Sequence, residues 1–310
     1  MNNTKPIASK REKRGNAKIT DKKEIYVQTN KRLQQAIEDI NQYETIGVDL
    51  EADSFYRYYE KICLVQIATP RKIYLIDTLA DVDHSLLKPI FENPSIEKIF
   101  HDPASYDIAI LKEKFLIHLV NIFDTQYAAR LIGVKKLGLD SLLNKFFGIK
   151  ISKKLKRANW GRRPLPKEWL AYAANDVRYL IEMKTLLLEE LDTEAVFRDK
   201  CKQMETIERK PKVFNPENYL KLRGAQKLPK QNKKILKNLY IWTEKEARKK
   251  DRPPFMILQP STLVALAQEE IMDVEEVKPF LGKKRRKNQE LCQAIFDVIQ
   301  LAKNDEWVKL

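Results

Sequence analysis

Soft and nitrogen metal ligands are scarce in this chain, whose 310 residues include only three cysteines and three histidines. Cys63, Cys201 and Cys292 lie far apart without a Cys-x-x-Cys pair, which argues against a disulfide framework and a cysteine zinc site and for a reducing compartment. His84, His101 and His118 form no recognisable metal pair and read as structural or surface residues. No apolar run approaches the roughly 18 residues of a membrane span, and the N-terminus lacks the apolar core of a secretory signal. The phosphate-cradling Gly-x-x-x-x-Gly-Lys-Ser/Thr loop is missing, so no ATP is expected, and Gly-x-Ser-x-Gly is missing too. A cytosolic or nuclear protein remains, with the cytoplasm as the expectation. No coiled-coil heptad is evident, so a monomer is expected.

Positive charge is abundant. Lys and Arg number 58 against 43 Asp and Glu, a formal charge of +15 with a pI near 9.5. Lys and Arg gain free energy by releasing counterions from phosphates, so a polyanion is the expected partner. Residues 1–24 hold Lys5, Lys10, Arg11, Lys13, Arg14, Lys18, Lys22 and Lys23 with few large apolar side chains. Such a segment buries too little surface to offset its ordering entropy and reads as a disordered basic arm.

The chain is organised around Ile46-Gly47-Val48-Asp49-Leu50-Glu51. Strand side chains alternate faces, so Asp49 and Glu51 share one side and Val48 and Leu50 the other. Two neighbouring carboxylates raise each other's pKa unless a cation or proton sits between them, and hard oxygen ligands suit Mg²⁺ or Mn²⁺. A lone Asp-x-Glu more often merely ends a strand, so further ligands must come from elsewhere.

Around this stretch the pattern predicts a strand over Ile25–Gln28, a helix carrying Leu33, Ala36, Ile37 and Ile40 behind a cap at Thr29 or Asn30, and a hairpin of Ile62–Ala68 with Lys72–Ile76. A helix over Ser85–Phe91 and a strand over Ile96–Phe100 follow, and helical signals dominate to about residue 208. Alternating strands and helices predict an α/β layer structure with a mixed sheet.

Two more acids stand downstream. Asp107 lies in the first turn of a helix, where an Asp is usually a capping or dipole residue. Tyr172 and Asp176, four apart, share one helix face. Taken together, Val48-Asp49-Leu50-Glu51, Lys98-Ile99-Phe100-His101 leading to Asp107-Ile108, and Tyr172-Ala-Ala-Asn-Asp176 resemble the DEDD superfamily of 3′–5′ exonucleases, in its tyrosine-containing branch and ribonuclease D in particular. Phe123-Asp124-Thr125-Gln126, Leu137 to Leu143 and Asn159 to Leu165 add to the likeness, which covers residues 25–195. One residue more than is common separates His101 from Asp107, leaving Asp102 as a rival ligand.

The resemblance implies a ribonuclease H-like fold in which Asp49, Glu51, Asp107 and Asp176 hold two divalent ions, Mg²⁺ or Mn²⁺, and Tyr172 orients the attacking water. It implies release of nucleoside 5′-monophosphates from RNA 3′ ends, with tRNA precursors or other structured RNA as substrates. DNA is the alternative polymer, and a noncatalytic RNA-binding scaffold the alternative role.

Basic residues near the third motif, Lys154, Lys156, Arg157 and Arg163, are candidate phosphate clamps, with Trp160 packing beneath them. After a connector at 196–226, residues 227–310 again read as helical. Leu239, Trp242, Glu246-Ala247-Arg248, Pro254-Phe255-Met256, Leu263 and Ala267 resemble an HRDC domain, a small all-α bundle shared with RecQ-type helicases and ribonuclease D. The likeness implies nucleic-acid binding, for which Lys283, Lys284, Arg285 and Arg286 are candidates.

Overall fold

A computed structural model describes residues 21–152, 154–209 and 213–308. The basic arm up to residue 20 therefore lies outside the described residues. The chain divides into two compact units, one of residues 1–51 and 62–209, the other of residues 52–61 and 210–310.

The first unit is a six-stranded mixed sheet flanked by helices. Its elements are β1 (Lys23–Val27), α1 (Asn30–Ile40), β2 (Thr45–Ala52), β3 (Ile62–Ala68), β4 (Lys72–Asp77), α2 (Lys88–Phe91), β5 (Glu97–Phe100), α3 (Asp107–Phe115), β6 (Ile122–Asp124), α4 (Thr125–Leu131), α5 (Leu139–Phe147), α6 (Lys167–Arg178), α7 (Leu180–Glu189) and α8 (Glu194–Met204). The strand order is β1-β4-β3-β2-β5-β6. Pairing is antiparallel between β3 and β4 and parallel between β1 and β4, β2 and β5, and β5 and β6. The mixed sheet is what the element order predicts, and the architecture is the ribonuclease H-like one that the resemblance implies.

Local chemistry accounts for the boundaries. Thr29 caps α1 by accepting from the Arg32 N–H at 3.4 Å, and Leu33, Ala36 and Ile40 put its apolar stripe into the core. β1 starts two residues before the apolar pattern marks it, since it is an edge strand whose Lys23 and Glu24 face water. Just before it, Lys22 is shut away from water, with its ammonium on the Arg178 carbonyl oxygen at 2.7 Å and on Glu182 at 3.0 Å. β6 has three residues, too few for a periodicity to register, yet it pairs along β5 from Lys98 with Ile122 to Phe100 with Asp124. The start of the 196–226 stretch is helix α8, and Phe197 and Cys201 bury into the same core as Phe123 and Leu180.

The second unit is helical: α9 (Lys230–Lys250), α10 (Pro254–Ile257), α11 (Pro260–Gln268) and α12 (Gln289–Lys303). Leu236, Leu239, Leu266, Cys292, Ile295 and Ile299 form its core. Residues 52–61 belong to this unit. The Tyr58 hydroxyl donates to the Glu244 carboxylate, the Tyr59 N–H donates to Asp251 at 2.9 Å, and Arg57 pairs with Asp251 at 3.1 Å. No helix among the described residues is long and apolar enough to cross a membrane.

Candidate active site

β2 turns Asp49 and Glu51 to one side, where both are half-buried, while Val48 and Leu50 enter the core. Gly47 lies on the same side as the two acids, and a Cβ there would stand 3.1 Å from both the Val177 carbonyl oxygen and the Leu180 Cβ. The absence of a side chain lets the junction of α6 and α7 settle onto β2. That approach brings Asp176, one residue before Val177, to the acids of the strand. Ligand oxygens of Asp49, Glu51 and Asp176 all lie within 4.8 Å of one another.

Asp107 stands outside this tight group but within its field. It is buried at the start of α3, and burial first, then the Asp49 charge, raises its carboxyl well above the usual range. The additional residue ahead of it is absorbed in a shaped loop. Asp102 takes a left-handed conformation at φ 59°, Pro103–Ser105 form one tight helical turn, and α3 then begins at Asp107. Asp124 pins the loop, accepting the Asp102 N–H at 3.0 Å while capping α4 through the Gln126 N–H at 2.9 Å. Thr125 ties the end of β5 down, donating to the Phe100 carbonyl at 2.9 Å with its hydroxyl 3.0 Å from His101 Nδ1. Asp124 and Thr125 carry no role in the sequence reading, although an Asp-Thr-Gln helix start is a visible capping signal.

The electrostatics have one dominant cause. Burial raises the carboxyls of Glu51 and Asp176 well above their ordinary range, and the neighbouring Asp49 charge adds to it in both. Asp49 itself is pushed up by burial, against a hydrogen bond from the Leu50 N–H. Exposed Lys156 lies close enough to lower Glu51 and Asp176 in part. Tyr172 is pushed up by burial and then by the charges of Asp176, Glu51 and Asp49, so its hydroxyl stays neutral and can donate. Trp160, 1% exposed, supports its ring from 6.1 Å and packs edge-on against Trp169 at 5.4 Å.

Four all-oxygen carboxylates whose charge is not balanced by the protein fit hard divalent cations, which take oxygen ligands and remove the penalty of gathering like charges. Asp49, Glu51 and Asp176 are positioned to ligate directly, with Asp107 beside them. Asp102 is not in the tight group.

The basic candidates separate. Lys154, Lys156 and Arg157 are exposed on the segment leading into α6. Arg163 is not a free clamp, because all five of its N–H donors are used inside the protein. Nε donates to Asp77 Oδ2 at 2.8 Å, Nη1 to the Trp160 and Arg162 carbonyl oxygens at 2.7 Å each, and Nη2 to the Cys63 carbonyl oxygen at 2.8 Å and to Asp77 Oδ1. In the second unit, Arg285 likewise turns inward, donating to the Ile257 carbonyl oxygen at 2.7 Å and to that of Met256. Lys283, Lys284 and Arg286 remain exposed.

Residues 25–192 match the sequence profile of a 3′–5′ exonuclease family, and residues 232–299 match that of the HRDC domain. The exosome complex exonuclease RRP6 of Saccharomyces cerevisiae is 32% identical over 260 residues, which cover 78% of this chain and 35% of that protein. The chain thus spans about a third of the length of that relative. Among solved structures, the catalytic core of RRP6 from Trypanosoma brucei aligns with a TM-score of 0.79 at 24% identity, over 90% of this chain and 80% of that one. Escherichia coli RNase D, described as an exoribonuclease involved in structured RNA processing, aligns with a TM-score of 0.66 at 24% identity, over 90% of this chain and 75% of that one. The relatives overturn the cytoplasmic placement expected from the sequence, since they are named as exosome components rather than as free cytoplasmic enzymes. Cysteine content and hydropathy do not distinguish one such compartment from another.

Proposed function

Because the chain belongs to the 3′–5′ exonuclease family and carries an HRDC domain, we propose that it is an exoribonuclease that shortens RNA from the 3′ end by hydrolysis, releasing nucleoside 5′-monophosphates. The observation that carries this reading is the convergence of Asp49, Glu51 and Asp176, with ligand oxygens within 4.8 Å, on a site whose neighbouring Tyr172 stays neutral. Asp49, Glu51, Asp107 and Asp176 would hold the divalent cations. When bound there, such ions neutralise charge on the scissile phosphate and acidify the attacking water.

The chain's own residues do the rest. Tyr172, with a hydroxyl that does not ionise at working pH, orients the water by hydrogen bonding rather than acting as a base. Trp160, itself packed against Trp169, restricts its ring. Lys156 supplies positive charge beside the acids and draws the terminal phosphate in. Thr125 and Asp124 keep the loop before Asp107 in shape.

RNA is favoured over DNA because one structural neighbour is described as an exoribonuclease involved in structured RNA processing and another, a Trypanosoma brucei RNase D, is in complex with RNA. Structured-RNA 3′ ends, tRNA precursors included, are the proposed substrates, and an exosome assembly is the proposed partner. The test follows 5′-labelled RNA with an unstructured 3′ end, in Mg²⁺ or Mn²⁺, in chelator, and with Asp49→Asn. A ladder shortening from the 3′ end that disappears with chelator and in the variant is expected, and faster shortening of the matched DNA would move the substrate to DNA. Tight RNA binding without shortening would overturn the enzymatic reading in favour of a scaffold.

A further inference from the structure

The first unit has a second feature that the acid cluster does not use. A cavity of about 560 Å³ is lined by Lys135, Lys136, Lys145 and Lys150, with Ser141 and Asn144 between them. Lys135 and Lys136 come from the turn between α4 and α5, Lys145 from α5, and Lys150 from just beyond its end. Elsewhere in this unit Lys22, Lys72, Lys112, Lys114 and Lys184 are all held by carboxylates. Among the described residues none of the four cavity lysines has such a partner, and Lys145 meets only the Phe146 ring, at 5.5 Å. Asp140, the one carboxylate of the lining, is folded back over Gly138, with Oδ1 2.8 Å from where a Gly138 Cβ would stand. Four like charges around one hollow repel each other unless something negative enters, so the hollow is primed for a polyanion.

Its position gives it an address. Leu137, next to Lys136, hydrogen-bonds through its main chain to His101, and His101 also feels the charges of Asp140 and Lys156. His101 opens the loop that leads to Asp107. The lysine hollow and the acid cluster therefore meet the same loop. Lysines act as point charges that bind phosphates without reading bases, and Ser141 and Asn144 can hydrogen-bond to sugar hydroxyls. A volume of this size admits a nucleotide or two.

We propose that this hollow binds the sugar–phosphate backbone of the RNA strand behind the 3′ end being cleaved, with Lys135, Lys136, Lys145 and Lys150 as its phosphate contacts. The inference rests on the exoribonuclease reading for its substrate, but binding tests it separately from cleavage. A labelled single-stranded RNA of about 20 nucleotides is titrated in chelator across a salt series, with the natural protein, a quadruple Lys→Gln variant and a quadruple Lys→Arg variant. Four lost phosphate contacts flatten the slope of log Kd against log salt by roughly 2 to 3 and weaken binding at least about tenfold near physiological salt. The Lys→Arg variant keeps both.

With metal added, the advantage of the long RNA over a trinucleotide in kcat/KM falls in Lys→Gln by a similar factor. Unchanged salt slope and unchanged length advantage in Lys→Gln would overturn the proposal while leaving the exonuclease reading intact. A flattened slope in a protein that never shortens RNA would support the groove and overturn the exonuclease reading instead. If the quadruple Lys→Gln variant unfolds, the Lys135→Gln/Lys136→Gln and Lys145→Gln/Lys150→Gln pairs are titrated in its place, each expected to flatten the slope by about half as much.

Discussion

Asp77 and Asp176 are both carboxylates shut away from water in one compact unit, at 1% and 8% exposure, yet their surroundings treat them in opposite ways. Burial alone raises Asp77, but hydrogen bonds from Arg163 and from the Tyr26 hydroxyl at 2.5 Å outweigh it and hold its carboxyl below the ordinary range. Asp176 has no such cation in hydrogen-bond contact among the described residues. Burial and the Asp49 charge drive it well up, and the more distant Lys156 only partly relieves it. The fold supplies a full guanidinium to one buried acid and none to Asp49, Glu51 and Asp176, whose ligand oxygens crowd together with Asp107 beside them. The first arrangement holds a loop to the end of β4; the second is the one we propose to hold cations.

Neutralising one member of each set exposes the difference. Asp49→Asn is expected to cut exonuclease turnover by about a thousandfold or more while leaving the folded state intact, measured by single-turnover RNA shortening and circular dichroism. Arg163→Ala should do the reverse. It leaves Asp77 buried with the Tyr26 hydroxyl but without a cation, and destabilises by about 3–5 kcal/mol in denaturant titration. Because the Asp77 pKa is depressed in the folded state, that loss is full above the unfolded value near 4 and shrinks as pH falls through the folded value.

Smaller changes sharpen the comparison. Tyr172→Phe removes the hydroxyl and keeps the ring on Trp160, so turnover should fall about ten- to a hundredfold with little change in RNA or Mn²⁺ affinity. An equal loss of RNA binding would count against its role in orienting water. Gly47→Ala forces the Val177 carbonyl and Leu180 to retreat by a few tenths of an ångström, which is expected to cost about 1 kcal/mol of stability and to reduce turnover several-fold by loosening Asp176.

Much of this contrast is legible in the sequence. The alternation of Asp49 and Glu51 with Val48 and Leu50 placed two acids on one face of a strand, because a strand has a period of two. Thr29 and the spacing of Leu33, Ala36 and Ile40 mark α1, and the closely spaced strand-like runs Ile62–Ala68 and Lys72–Ile76 mark the β3–β4 hairpin. Other features lay beyond local pattern. Arg163 and Arg285 read as basic and available, since a sequence shows a side chain's charge but not the carbonyl oxygens and carboxylate that consume its donors. The role of Asp124 depends on the amide of Asp102, twenty-two residues away, and β6 is too short for periodicity to mark. Lys22 reads as part of a charged arm and is instead buried, because its partners on α6 and α7 lie about 160 residues downstream.

The central claim is that the acid cluster opposes the folded state until cations reach it, and melting temperatures test that most directly. Burial raises the folded carboxyls of Asp49, Glu51, Asp107 and Asp176, Asp49 to about 7, above unfolded values near 4. Across that window the folded protein binds more protons than the unfolded chain, so metal-free stability falls as pH rises, and the penalty is complete above it. At pH 8 without metal, Asp49→Asn should therefore melt a few degrees above the natural protein, with the gap closing near pH 4. Adding Mn²⁺ should raise the natural protein more than the variant and narrow or reverse the order. Equal melting temperatures for the two proteins at pH 8, with and without Mn²⁺, would contradict the account.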